Sequence, residues 1–269
     1  MINFSEIVWR RGPRQDAERA AGFTDSEYAN VSSPLRRSHV DEVSLDGGSH
    51  AALLLDQQSA GADRLRYLRL RLRELRQLAR LQSIVVTSPL PGDGKSTIAL
   101  CLAATLSDGG KHPTLLIEGD LHRPTLARTL GLKPRIGLAE CLEDGIAPMA
   151  AVRKINPLGC YVLYAGTPKG SATELLQSEA LASLNQSVAP HFEWIVVDSP
   201  PALPLTDAYS ISRQVDATLL VARADRTPQD AIDATIKLIG RKHILGIILN
   251  AASDITQTYS EYYRSPSRT

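Results

Sequence analysis

Residues 88–97 read Ser88-Pro89-Leu90-Pro91-Gly92-Asp93-Gly94-Lys95-Ser96-Thr97, directly after the apolar run Ile84-Val85-Val86 and directly before a helical pattern over residues 97–106. A strand, a glycine-containing loop and a helix start in that order form a cradle for phosphate. Gly92 and Gly94 let backbone amides turn inward with no Cβ in the way, and the helix N-terminus favours an anion. In such a loop Lys95 reaches the β- and γ-phosphates, and the Ser96 hydroxyl is placed to ligate Mg²⁺. Pro91, Asp93 and Thr97 complete the candidate nucleotide-contacting set, so ATP and Mg²⁺ are the expected cofactors. Pro89 stands where the general pattern has Gly or Ala.

Outward from the loop, apolar runs bounded by turn signals alternate with helical patterns. Residues 84–86, 114–117, 161–164, 194–197, 218–221 and 244–249 read as buried strands, and residues 97–106, 173–188 and 228–241 as helices between them. Near-continuous apolar strands separated by helices predict an α/β fold, a mostly parallel sheet with helices on both faces. Two strand ends carry carboxylates. The run Trp194-Ile195-Val196-Val197 ends in Asp198, followed by Ser199-Pro200-Pro201, which puts one carboxylate at the C-terminal edge of the sheet where it can hold Mg²⁺. The run Leu115-Leu116-Ile117 ends in Glu118-Gly119-Asp120-Leu121-His122-Arg123-Pro124, on the strand expected to neighbour the phosphate loop. Beside a nucleotide, one of Glu118 and Asp120 can help hold the metal and the other can serve as general base on an incoming hydroxyl.

The chain has 269 residues, room for one sizeable core with appendages. Its 30 Lys and Arg against 29 Asp and Glu give no global charge that demands nucleic acid, and no nucleic-acid partner is expected. Cys101, Cys141 and Cys160 are odd in number and widely spaced, which argues against a disulfide framework or a zinc site. No run approaches the roughly 20 apolar residues of a membrane span, so the expected location is cytoplasmic, with membrane contact made through a partner. Residues 1–61 mix Arg, Ser, Asp and Gly with few apolar runs and read as a flexible region, with a short helix conceivable near Phe4, Ile7 and Val8. Over residues 62–81, Leu65, Leu68, Leu72 and Leu75 recur at three- and four-residue steps amid arginines, an amphipathic helix with a basic outer face. From residue 251 the chain is polar and carries Tyr259, Tyr262 and Tyr263 within five residues. The expected division is therefore 1–61 flexible, 62–250 the P-loop domain including the helix over 63–81, and 251–269 a flexible tyrosine-rich tail.

The three motifs PGDGKS, EGDLHRP and DSPP, in that order, resemble those of the bacterial tyrosine kinases (BY-kinases) of capsule and exopolysaccharide systems. That family shows a Walker A loop, a Walker A-prime strand ending in D-x-D followed by Arg-Pro, and a Walker B strand ending in D-T-P-P; Glu118 stands here where it usually has Asp. The resemblance runs from about residue 63 to the C-terminus. It implies a P-loop NTPase of the MinD/ParA-like branch acting as a protein-tyrosine autokinase. Lys95, Glu118 and Asp120 are then catalytic, Ser96, Asp120 and Asp198 hold Mg²⁺, and Asn250 lies near the adenine. It also implies that Tyr259, Tyr262 and Tyr263 are phosphorylated between subunits of a ring-shaped homo-oligomer.

In the same resemblance Asp63, Arg66 and Arg69 match the spacing of the family's self-association motif E-x-x-R-x-x-R. The partners implied are a separate transmembrane chain-length regulator of polysaccharide synthesis as activator, and a cognate tyrosine phosphatase. Two rivals remain. A MinD/ParA-like ATPase switch would use the Arg-rich helix on membrane or nucleoid, but that group carries a signature Lys at the position of Leu90. A non-catalytic nucleotide-binding homologue is kept open by Glu118.

Overall fold

The computed structural model describes residues 4–9, 40–44, 60–132 and 136–252. All six strands expected from the sequence are present: β3 (Ser83–Thr87), β4 (Thr114–Glu118), β6 (Tyr161–Leu163), β7 (Trp194–Asp198), β8 (Ala217–Arg223) and β9 (Ile244–Asn250). Three more join them, β1 (Phe4–Trp9), β2 (Glu42–Ser44) and β5 (Arg153–Asn156), in a nine-stranded sheet of order β1-β9-β8-β3-β7-β4-β6-β5-β2. The six expected strands are contiguous and mutually parallel. The antiparallel pairs are β1 with β9 and β5 with β6.

Burial on both faces explains the unbroken apolar text of the strands. Ile84 and Val86 of β3 enter one core cluster and Val85 the other, and Leu116 and Leu115 of β4 divide the same way. The first cluster is covered by α1 (Ala60–Ala79) and α2 (Lys95–Ser107). Helix α2 is buried from Ile98 to Ala104 on every side, as a central helix must be. The second cluster is covered by α4 (Leu138–Glu143), α6 (Ala172–Gln177), α7 (Glu179–Val188) and α8 (Asp207–Ser212). The remaining helices are α3 (Leu126–Thr129), α5 (Pro148–Ala151) and α9 (Gln229–Ile239).

The structure corrects three expectations. The stretch near Phe4, Ile7 and Val8 is a strand rather than a helix; its aromatic and β-branched residues suit the edge of a sheet, and it pairs with β9 from Phe4↔Asn250 to Trp9↔Gly246. The helix over 173–188 is two helices, α6 and α7, because Ser178 takes extended dihedrals and its hydroxyl donates to the Leu175 carbonyl at 2.7 Å. The strand bearing Glu118 does not adjoin the phosphate-loop strand: β7 lies between β3 and β4. Among the described residues no helix is long and apolar enough to cross a membrane.

Helix α1 docks by the leucines its periodicity marks. Leu65 is buried, Leu68 and Leu72 are fully so, and Leu75 packs on the same cluster. Arg76 lies 5.2 Å over the ring of buried Trp194 and donates to the carbonyls of Leu81 and Glu193. Leu68→Ala should therefore cost about 2–5 kcal/mol in urea denaturation, whereas Leu78→Ala, at a residue 76% exposed, should change stability by less than about 0.5 kcal/mol.

Candidate active site

The C-terminal edges of β3, β7 and β4 bring the three motifs together. Register fixes this: Val86 of β3 and Glu118 of β4 both pair with Asp198 of β7, so one carboxylate stands between the phosphate loop and the other strand end. A cavity of about 680 Å³ opens there, lined by Gly92, Gly94, Lys95, Ser96, Asp120 and Arg123 among others.

The loop is held from behind. Asp93 is fully buried, and its carboxylate accepts from the Leu90 amide at 3.0 Å and the Thr227 hydroxyl at 2.8 Å. It braces the loop from within. Asn250, at the end of β9, donates its side-chain amide to the Asp93 carbonyl at 2.8 Å. Arg223 donates to the Gly92 carbonyl at 3.3 Å, and the Arg226 guanidinium lies across Gly92. Gly92 and Gly94 have φ of 85° and 99°, and a Cβ on Gly94 would stand 2.1 Å from the Asn250 amide nitrogen, so glycine is required there. Gly94 has no side chain to cap α2, which leaves the first-turn amides for an anion.

In front of the loop the charges are tightly coupled. The Lys95 ammonium is 2.9 Å from Asp120 Oδ2, 3.9 Å from Asp198 Oδ1 and 3.2 Å from the Ser96 hydroxyl. Burial works against its charge, but Asp198 and Asp120 outweigh it and raise the lysine above its ordinary value. Asp198 is fully buried, and neither of its oxygens has a hydrogen-bond partner among the described residues. Burial pushes it up to about 7, with the Lys95 charge and the nearby Ser96 hydroxyl opposing. Orphaned buried carboxylate oxygens beside a serine hydroxyl and Asp120 form an oxygen donor set that fits Mg²⁺, a cation that keeps waters and phosphate oxygens in its shell. Among the described residues no group of three or more His, Cys, Asp or Glu makes a self-sufficient metal cage.

Glu118 is engaged elsewhere. One oxygen accepts from the amides of Thr125 and Leu126 at 2.5 and 2.6 Å, and the other from the Ala165 amide at 3.1 Å. Burial raises its pKa, and the three amide bonds oppose that shift. The extra methylene of Glu over Asp gives it the reach to tie β4 to the start of α3 and to the segment after β6. Asp120, by contrast, faces Lys95 and accepts the Arg123 amide at 3.0 Å.

Sequence reading missed the support from Arg223, the last residue of β8, and from Arg226 and Thr227 on the loop after it, none of which has a motif of its own. It also missed His122, whose Nε2 is 2.7 Å from buried Asp207. Of the residues assigned to self-association, Asp63 and Arg66 pair with each other at 2.5 Å, and Arg69 pairs with Asp108 at 2.7 Å. Tyr259, Tyr262 and Tyr263 lie outside the described residues.

Two outcomes follow from this geometry. Thr227→Val removes the hydroxyl that holds Asp93 and should weaken binding of a fluorescent ATP analogue roughly tenfold, with Thr227→Ser restoring it. The fold favours the protonated form of Asp198, so its contribution to stability is full below the unfolded value near 3.8 and is lost as pH rises to about 7. In EDTA, Asp198→Asn should remove that decline, leaving the variant more stable than the parent at pH 8 by an amount on the order of a few kcal/mol.

No family model matches the chain. Tyrosine-protein kinase YwqD of Bacillus subtilis (strain 168) is 29% identical over 184 residues, covering 68% of this chain and 76% of YwqD. Tyrosine-protein kinase CpsD of Streptococcus pneumoniae serotype 4 is 30% identical over 175 residues, 64% of this chain and 76% of CpsD. The succinoglycan biosynthesis transport protein ExoP of Rhizobium meliloti (strain 1021) is 34% identical over 173 residues, and this chain spans 22% of its length. Among solved structures, the chimerical protein CapA2B2 superposes with a TM-score of 0.68 at 27% identity, over 76% of this chain and 90% of that one. The BceF tyrosine kinase domain gives 0.63 at 32% identity, over 71% and 76%. Identity at this level across 76% of the CpsD kinase, together with a shared fold, means that this chain belongs to the family of bacterial tyrosine-protein kinases.

Proposed function

We propose that this chain is a Mg-ATP-dependent protein-tyrosine kinase whose acceptors are Tyr259, Tyr262 and Tyr263 of a neighbouring copy, and that it serves capsule or exopolysaccharide synthesis or export. The observation that carries this reading is the contact of Asp120 with Lys95 beside the phosphate loop. A phenol brought into that cavity meets a carboxylate and the phosphate-binding lysine together.

The roles follow from the contacts. Loop amides and Lys95 hold the β- and γ-phosphates. Ser96, Asp120 and Asp198 hold Mg²⁺, which when bound neutralises charge on the phosphates. Nucleotide phosphates compete with Asp120 for the Lys95 ammonium, which lies 2.9 Å from it, and so free that carboxylate. Asp120 then orients the acceptor phenol and takes its proton as the phenol oxygen bonds to the γ-phosphorus, the bond to the β-phosphate oxygen breaks and ADP leaves. Such chemistry depends mainly on positioning and charge stabilisation. Glu118, with both oxygens bound to amides, braces the site.

Assembly through α1 into a ring, activation by a separate transmembrane chain-length regulator that recruits the chain to the inner face of the membrane, and reversal by a cognate tyrosine phosphatase complete the proposal. The role for which ExoP is named, succinoglycan biosynthesis transport, supports the polymer class. The rival ATPase switch acting through a basic helix is less favoured by α1. Its Arg66, Arg69, Arg71 and Arg76 are bound to Asp63, Asp108, Glu74 and two backbone carbonyls, rather than presented as free cations.

Purified protein incubated with Mg-ATP should carry phosphate on Tyr259, Tyr262 or Tyr263 by mass spectrometry, and Lys95→Met should reduce incorporation by roughly a hundredfold or more. Tight nucleotide binding with no tyrosine modified, even after addition of cytoplasmic fragments of candidate membrane regulators, would overturn the kinase reading in favour of the ATPase switch.

A further inference from the structure

A second cavity, of about 540 Å³, lies on the other side of the α3 segment from the nucleotide cavity. Its walls include Pro124, Ala127, Arg128, Leu132, Tyr164 and Gly166. Arg128 lines both cavities, so they are one side chain apart. Three features define what the second one accepts. Pro124, Ala127 and Leu132 offer apolar surface to a flat group. The Tyr164 hydroxyl is buried without any hydrogen-bond partner among the described residues, in a side chain only 1% exposed. Arg128 is exposed and forms no ion pair among the described residues. The Glu118 carboxylate at the back of the cavity is satisfied by three backbone amides, so it does not demand a cation from the ligand. Burial holds Tyr164 above the ordinary phenol range, which keeps it a neutral hydroxyl.

An apolar slot with an unsatisfied hydroxyl inside and a guanidinium group at its rim matches a phenol ring next to an acidic residue. The tail supplies that chemistry: Glu261 sits between Tyr259 and Tyr262. An extended chain advances about 3.3–3.6 Å per residue, so tyrosines three positions apart reach past a single intervening side chain. We propose that this second cavity is a docking subsite for a neighbouring tyrosine of the acceptor tail, occupied by one ring of the cluster while another ring enters the nucleotide cavity beside Asp120. The proposal rests on the tail-kinase reading for its occupant. It gives the clustering of tyrosines a physical role, since each acceptor is positioned by its neighbour. Tyr164 and Leu132 are then specificity-determining residues.

The test is binding, which does not require turnover. The receptor is the full chain with Tyr259, Tyr262 and Tyr263 all replaced by Ala, loaded with a non-hydrolysable ATP analogue and Mg²⁺. The probe is a fluorescent peptide of residues 251–269, either unaltered or with Tyr262 and Tyr263 replaced by Ala. The unaltered peptide should bind roughly tenfold tighter, the order expected for burying one aromatic ring with a hydrogen bond. That ratio should collapse toward one in receptors carrying Tyr164→Phe, which removes an unpartnered hydroxyl, or Ala127→Leu, which fills the cavity; nucleotide affinity should be unchanged with Tyr164→Phe. Equal affinities for the two peptides in the parent receptor, or a tenfold ratio that survives both receptor variants, would overturn the subsite. Phosphate incorporation measured separately reports on the kinase reading alone: peptide discrimination without incorporation sinks the kinase and keeps the subsite, and incorporation without discrimination does the reverse.

Discussion

A single partly buried ammonium holds the carboxylate-bearing edge of the sheet together. Strands that are apolar on both faces end in Glu118 and Asp198, with Asp120 just beyond, and two of these three carboxylates would repel one another in a medium of low dielectric if nothing stood between them. Lys95 occupies that place, in contact with Asp120 and near Asp198. Its balance is incomplete by construction. Asp198 keeps two oxygens without hydrogen-bond partners among the described residues, and burial favours its protonated form, which relieves that charge. A site poised in this way has stored demand for positive charge, which Mg²⁺ with nucleotide can meet while Lys95 turns to phosphate.

The third carboxylate illustrates how one methylene changes a role. Glu118 spans the distance to the Thr125, Leu126 and Ala165 amides and so ties three segments into one body. That tie fixes the α3 segment as the partition between the two cavities. It also separates duties that the sequence leaves interchangeable: Asp120 is free to face the lysine because Glu118 carries the backbone load.

How much of this was legible in the sequence depended on whether a signal was local. Unbroken apolar runs such as Leu115-Leu116-Ile117 and Trp194 to Val197 identify buried parallel strands, and the loop from Pro91 to Thr97 declares its phosphate site within a few residues. Strand order is not local, so nothing in the run around Glu118 reveals that β7 separates it from β3. β2 was hidden because its one apolar residue, Val43, sits in a polar context, and β1 because a short apolar run beside an Arg-rich stretch fits a helix turn as well as a strand; in both, pairing at a sheet edge decides. Thr227 and Arg226 carry no motif; they matter only because β8 delivers them behind Asp93. The fate of Glu118 needed the position of Ala165, 47 residues away.

The pairing of Phe4 to Trp9 along β9 has a bearing on how a substrate segment can be received. The tail leaves the sheet just past Asn250, and a bare β9 would offer it, or its counterpart from another copy, a ready ladder of unpaired amides and carbonyls. With β1 in place that ladder is already filled, so a segment cannot zip onto β9, and among the described residues the outermost strand on this side is β1 itself. A segment received at the cavities instead draws its affinity from individual side chains seated in pockets. Recognition by such anchors reads residue identity and spacing, whereas strand addition would take almost any extended sequence.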